Sequence, residues 1–170
     1  PVEVCLASEF RYSDPIVEDG TLAIVISQSG ETLDTMAAMR EIKSLGARVL
    51  SIVNVVGSTI AREADDVIYT WAGPEIAVAT TKAYSTQLAV VSQLGIYMAD
   101  QRGTITPEYY AALVAELERL PDKAARVLEE QSEIQHFASR FFNHNSIFFI
   151  GRNLDYAVGL EGSLKLKEIS

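Results

Sequence analysis

The chain has 170 residues, 48% of them apolar and 22% charged, with a formal net charge of −9. That length allows about one ordinary domain, and the composition is that of a soluble globular protein. The acidic balance argues against nucleic acid as a partner. Cys5 is the single cysteine, so no internal disulfide is possible and zinc-ligand spacing is absent. No apolar run reaches about 18 residues and no signal peptide opens the chain, so no membrane partner and a cytoplasmic location are expected.

The first predicted element is a strand at 2–7, where Val2-Glu3-Val4-Cys5-Leu6 alternates. A second strand, 21–27, is an apolar run, Leu22-Ala23-Ile24-Val25-Ile26. A helix from Thr32 to about Leu45 follows, with Gly46 as its C-cap signal. Then come a strand at 48–54, a short helix near 58–63, a strand at 66–71 and a long helix from about 80 to 101. Val/Ile-rich runs fit a parallel sheet buried on both faces, and strands alternating with helices predict a doubly wound α/β domain.

Ser27-Gln28-Ser29-Gly30-Glu31-Thr32 joins the second strand to its helix. Three hydroxyls and a glycine therefore sit where free backbone N–H groups and the positive end of a helix dipole converge. The segment reads as a phosphate cradle without a lysine, so the phosphate would anchor a substrate rather than be transferred. Ser and Thr are also ordinary helix caps that need no ligand. Glu31 would repel an anion beside it and is expected to point away. No G-x-G-x-x-G, Walker lysine or clustered His/Cys occurs, so no cofactor or metal is expected.

Gly73 to Lys82 runs from the strand at 66–71 into the long helix. Its small residues and two threonines allow close backbone approach to a ligand, but also serve a plain capped helix start. Arg102-Gly103 and Pro107 mark a boundary. Residues 107–142 carry two helical patterns broken at Pro121, with His136 read as structural and His144 as a turn residue. Ser146 to Arg152 is a further apolar strand ending in glycine, and Gly159 to Ser170 a helix in progress. Pro1 enters the first strand directly and the last helix stops without a C-cap signal, so the chain is expected to be a piece of a longer protein.

Glu161, Lys165 and Glu168 fall at i, i+4 and i+7, within a roughly 60° arc of that last helix. Leu160, Leu164, Leu166 and Ile169 surround the arc, which predicts a mostly buried helix. A buried Glu–Lys–Glu line suits proton transfer. A surface line of the same spacing would be ordinary ion pairing. Spacing alone leaves both readings open.

Ser27 to Thr32, Ala79 to Leu88 (ATTKAYSTQL), Leu160 to Ser170 (LEGSLKLKEIS) and Ala7 to Tyr12 (ASEFRY) together resemble the sugar isomerase (SIS) domains of the glutamine–fructose-6-phosphate aminotransferase family. The resemblance runs from end to end of the chain. It implies an SIS-type fold in which 1–106 form most of a first SIS unit, 107–142 linker helices and 143–170 the start of a second. It implies an enzyme that takes fructose 6-phosphate and ammonia from glutamine, forms an imine at C2 and isomerises it to glucosamine 6-phosphate. By the same resemblance Ser27, Gln28, Ser29 and Thr32 hold the sugar phosphate, and Val78 and Thr80 line the sugar site. Glu168 is the base moving a proton between C1 and C2, Lys165 assists at the sugar hydroxyls, and Glu161 is a partner of Lys165. The family's glutaminase domain, ring-opening histidine and Schiff-base lysine have no counterpart here, so the chain alone is expected to be inactive, and its parent a homodimer. The alternatives are another SIS ketose-6-phosphate isomerase or deglycase, or a non-catalytic sugar-phosphate sensor.

Overall fold

A computed structural model of the chain describes residues 2–170. It forms two compact units, one running to Ser92 and the other Gln93–Ser170. In the first unit α1 (Ala7–Phe10), β1 (Leu22–Ser27), α2 (Leu33–Ser44), β2 (Arg48–Val53), α3 (Thr59–Glu63) and β3 (Asp66–Tyr69) follow in order, and α4 (Lys82–Gln101) begins there. The second contains α5 (Pro107–Glu118), α6 (Leu120–Glu129), α7 (Gln131–Phe141) and α8 (Leu154–Ile169).

The three strands form one parallel sheet in the order β1-β2-β3. Leu22 pairs with Arg48 and Ser27 with Val53, while Leu50 pairs with Asp66 and Val53 with Tyr69. A parallel ladder needs a crossover between strands, and α2 and α3 supply them. The core lies on that side: Met36, Met39, Ile60 and Ala61 pack with Ala23, Val49 and Val53. β2 is the central strand, and Leu50 and Ile52, on its other face, are also buried. Burial on both faces is why β2 reads as a run rather than an alternation. β1 departs from that expectation. As an edge strand it buries Ala23 and Ser27 but leaves Leu22, Ile24 and Ile26 half-exposed.

Gly46 ends α2 as expected. It adopts φ +94°, with Gly46 N–H on the Lys43 carbonyl and Ala47 N–H on that of Ile42. That pair of bonds needs a left-handed residue after the helix, which only glycine supplies without strain. Ion pairs cross between the elements: Arg40 of α2 pairs with Glu63 of α3, Lys43 of α2 with Asp65 just before β3, and Arg48 of β2 with Asp66 of β3.

Two predicted strands do not form. Residues 2–6 are exposed and unpaired, and the chain turns helical at Ala7. Residues 146–150 are likewise unpaired, with Phe148 and Ile150 exposed. An apolar pattern supplies one face of a strand but not the neighbouring backbone that makes it a ladder. Phe149 instead lies against α8, where a side chain at Gly162 would meet its ring at 3.0 Å.

Residues 107–142 form three helices rather than two. The first break falls at Arg119, just before Pro121, which takes a first-turn position in α6. The second is at Glu130 (φ −87°, ψ 21°), where no glycine or proline announces it. Thr106 caps α5 by accepting from Tyr109 N–H, and Pro107 follows it. His136 lies on α7 and His144 follows the turn that ends it.

Candidate functional site

The β1–α2 loop gathers its hydroxyls as expected. Ser27, 6% exposed at the end of β1, places Oγ 3.0 Å from Thr32 Oγ1 and accepts the Gly30 N–H at 3.0 Å. Ser29 Oγ accepts the Glu31 N–H at 3.1 Å. Thr32 is the N-cap residue of α2, with extended backbone, yet its side chain caps no amide of the helix. The amides of the first turn of α2 are thus left to another acceptor, and the helix dipole adds positive potential at the same point.

Gly30 makes the loop possible. Its φ of +66° disfavours a side chain, and a Cβ there would collide with Ser58. Glu31 points to α3: its Oε1 accepts Thr59 N–H at 2.7 Å. That amide and the Thr59 side chain hold the Glu31 carboxyl below the usual carboxylate range. The charge that would repel an anion is therefore engaged elsewhere.

Asn54, at the carboxyl end of β2, organises this edge. Its N–H donates to the Gln28 carbonyl at 3.0 Å. Its Oδ1 accepts from Thr70 Oγ1 at 3.0 Å and Ala72 N–H at 2.8 Å, and its Nδ2 donates to the Gly73 carbonyl at 2.8 Å. Asn54 thus joins the phosphate-loop candidate, through its backbone N–H, to the start of the segment that carries Val78 and Thr80, through its side-chain amide. The sequence places Asn54 to Ser58 in a strand-to-helix turn at the carboxyl edge of the sheet but assigns Asn54 and Ser58 no part in the site. The available signal was their place in a turn at the carboxyl end of a buried strand, which resembles any other Asx/Ser turn. Within the segment, Val78 is fully exposed, Ala79 buried and Thr80 half-buried, and Thr81 N–H reaches Glu75 at 3.3 Å.

In the second unit Lys165 Nζ bonds Glu168 Oε2 at 2.7 Å and lies 3.4 Å from Glu161 Oε1. The three side chains are 24–35% exposed. The hydrogen bond to Glu168 is the largest cause holding the Lys165 ammonium above its ordinary pKa. The expectation of a mostly buried helix is corrected: α8 has no buried residue, and Leu160, Leu164 and Ile169 are exposed. A helix that is apolar on several sides is buried only where partners cover each side, and Phe149 covers α8 at Gly159 and Gly162.

A parallel α/β sheet with an uncapped helix N-terminus at its carboxyl edge defines an open-sheet domain of the kind that takes ligands at that edge. The chain belongs to the SIS domain family, whose pattern matches residues 1–97. It is 56% identical to the glutamine–fructose-6-phosphate aminotransferase (isomerising) of Clostridium acetobutylicum, over all of this chain and 28% of that protein. It is 58% identical to the same enzyme of Symbiobacterium thermophilum, with the same coverage. Among solved structures, the C-terminal domain of the glucosamine–fructose-6-phosphate aminotransferase of Francisella tularensis superposes with a TM-score of 0.94 at 38% identity, over 99% of this chain and 48% of that one. The chain thus spans just over a quarter of the length of the curated relatives it matches. No helix among the described residues is long and apolar enough to cross a membrane.

Proposed function

We propose that the chain is the fructose 6-phosphate-binding and isomerising part of a glutamine–fructose-6-phosphate aminotransferase. The observation that carries this reading is the β1–α2 loop, where the Ser27 and Thr32 hydroxyls meet, Ser29 accepts the Glu31 N–H, and Thr32 opens a helix that its side chain does not cap. The phosphate of the sugar docks there on backbone N–H groups and hydroxyls, with Gln28 beside them, and takes no part in the chemistry. Val78 and Thr80 line the sugar.

Once ammonia has formed an imine at C2 of the ketose, isomerisation needs one proton removed from C1 and one delivered to C2. Glu168 is the group that carries it, and Lys165, a firm cation, orients the sugar hydroxyls and the carboxylate together. The two sugar-binding segments belong to a first SIS unit covering 1–106, residues 107–142 link it onward, and 143–170 open a second unit. The names of the relatives and their identity to this chain support the assignment. A cytoplasmic location and no nucleic-acid partner complete the reading, supported by the lone cysteine and the acidic balance, with a homodimeric parent supported by the family resemblance alone.

Isothermal titration of the gene-encoded protein with fructose 6-phosphate tests the site, with glucosamine 6-phosphate formation from glutamine as the activity readout. Binding of the sugar phosphate that inorganic phosphate displaces is the expected result. Failure of both to bind would reject the cradle.

A further inference from the structure

Ser58 is 3% exposed, and its Oγ, fully enclosed, has no hydrogen-bond partner among the described residues. A buried hydroxyl normally finds one, and leaving it unpaired is a cost to the fold. Ser58 is the residue before α3, yet its side chain caps nothing there. It stands against the α-carbon of Gly30, where an added methyl group would collide with both Oγ and Cβ of Ser58. The next two residues grip the same loop: Thr59 N–H donates to the Glu31 carboxylate at 2.7 Å and Ile60 N–H to the Gly30 carbonyl at 3.0 Å. The turn 58–60 is therefore a buttress beneath Gly30-Glu31, with two hydrogen bonds made and one hydroxyl free.

We propose that Ser58 is a positioning residue of the anion loop, its free hydroxyl gaining a partner in the Gly30 turn when a phosphate group occupies the start of α2. This rests on the phosphate-binding reading of that loop. The hydroxyl is enclosed, so it acts through Gly30 and does not touch the anion. An anion drawn onto the amides of the loop shifts the peptide groups around Gly30, and Ser58, unpaired and packed against Gly30, is placed to meet that shift. A purely structural serine would instead be paired in the free protein.

The test compares Ser58→Ala and Ser58→Cys in the protein as its gene encodes it. Inorganic phosphate and fructose 6-phosphate are titrated calorimetrically, and turnover and melting temperature are measured. In Ser58→Ala the ligand-free melting temperature should be unchanged or raised, since an unpaired hydroxyl is removed. Both ligands should bind about 5- to 10-fold more weakly, the scale of one lost hydrogen bond. KM should rise in step while kcat stays within about twofold. Ser58→Cys keeps the side-chain shape with a somewhat larger atom but hydrogen-bonds poorly, so it should bind as weakly as the alanine variant. If cysteine restores binding, the role is packing and the proposal falls. It falls equally if Ser58→Ala binds both ligands normally, whether or not its melting temperature drops. Should Ser58→Ala fail to fold, the cysteine variant decides alone. If the unaltered protein binds neither ligand, the cradle reading itself fails and Ser58 with it.

Discussion

The hydroxyl of Thr32 faces that of Ser27 across the β1–α2 loop at 3.0 Å, and not the amides of the helix that Thr32 opens. A capping threonine would satisfy its own helix. This one leaves the helix start to an outside acceptor, and the pairing of two hydroxyls pre-sets their positions without a ligand.

Ser27 and Thr32 should therefore respond differently to truncation. Thr32→Ala removes no cap bond and loses only the hydrogen bond to Ser27, so stability should fall by no more than about 1 kcal/mol. Its KM for fructose 6-phosphate should rise, with about 1.5–3 kcal/mol of binding lost if the hydroxyl meets the charged phosphate. Ser27→Ala also orphans the buried Gly30 N–H and should cost about 1–3 kcal/mol of stability as well. Denaturant unfolding beside ligand titration separates the two, and equal effects of both variants on stability would contradict the geometry.

Asn54→Ala should loosen the carboxyl edge of the sheet. It removes the acceptor of Thr70 and Ala72 and the donor to Gly73. The expected loss is roughly 2–3 kcal/mol. Hydrogen exchange at the Ala72 amide should accelerate far more than at Val49, in the core of β2. Unchanged protection at Ala72 would show that Asn54 is not its anchor.

Glu168→Gln keeps size and some hydrogen bonding but cannot accept a proton. In the gene-encoded protein, kcat should fall by roughly 10²-fold or more, with fructose 6-phosphate affinity nearly intact. Exchange of the substrate's C1 proton with solvent should fall in parallel, as followed by NMR in deuterated water. Near-normal turnover and exchange would place the base elsewhere and leave the Glu161–Lys165–Glu168 line as an ion-pair network.

Acid should weaken the first unit through Glu63, Asp65 and Asp66. Arg40 lowers the carboxyl of Glu63, Lys43 and then the Val49 amide that of Asp65, and Arg48 that of Asp66. A folded value below the unfolded one means the stabilisation is present above the ordinary carboxylate range of about 4 and is lost as pH falls through the lowered values. The urea midpoint should decline as pH falls below about 4, and less so in Asp65→Asn. Lys165 runs the other way: its raised value keeps its contribution below about pH 10.4, to be lost as pH climbs through it. An acid slope identical in Asp65→Asn and the unaltered chain would remove Asp65 from this account.

The sequence by itself determined the elements whose causes are local. β1, α2, β2, α3 and β3 lie within a residue or two of the periodicity reading, because apolar runs, Gly46 and the Ser/Thr-rich turn act over a few neighbouring residues. The hydroxyl set of the β1–α2 loop was legible for the same reason, as was the i, i+4, i+7 line on α8. Only the tertiary structure decided what depends on a distant partner. Val2-Glu3-Val4 and Ile147-Phe148-Phe149 carry strand-like residues but no adjoining ladder, so neither forms a strand. Glu31 is removed from the anion site by an amide 28 residues away, and Asn54 joins Gln28 to Gly73 across three segments. Ser58 meets Gly30 only because β2 carries its following turn beneath the β1 loop. Hydrogen bonds and packing between residues far apart in the chain leave no periodic trace in sequence, and those contacts are what shape the candidate site.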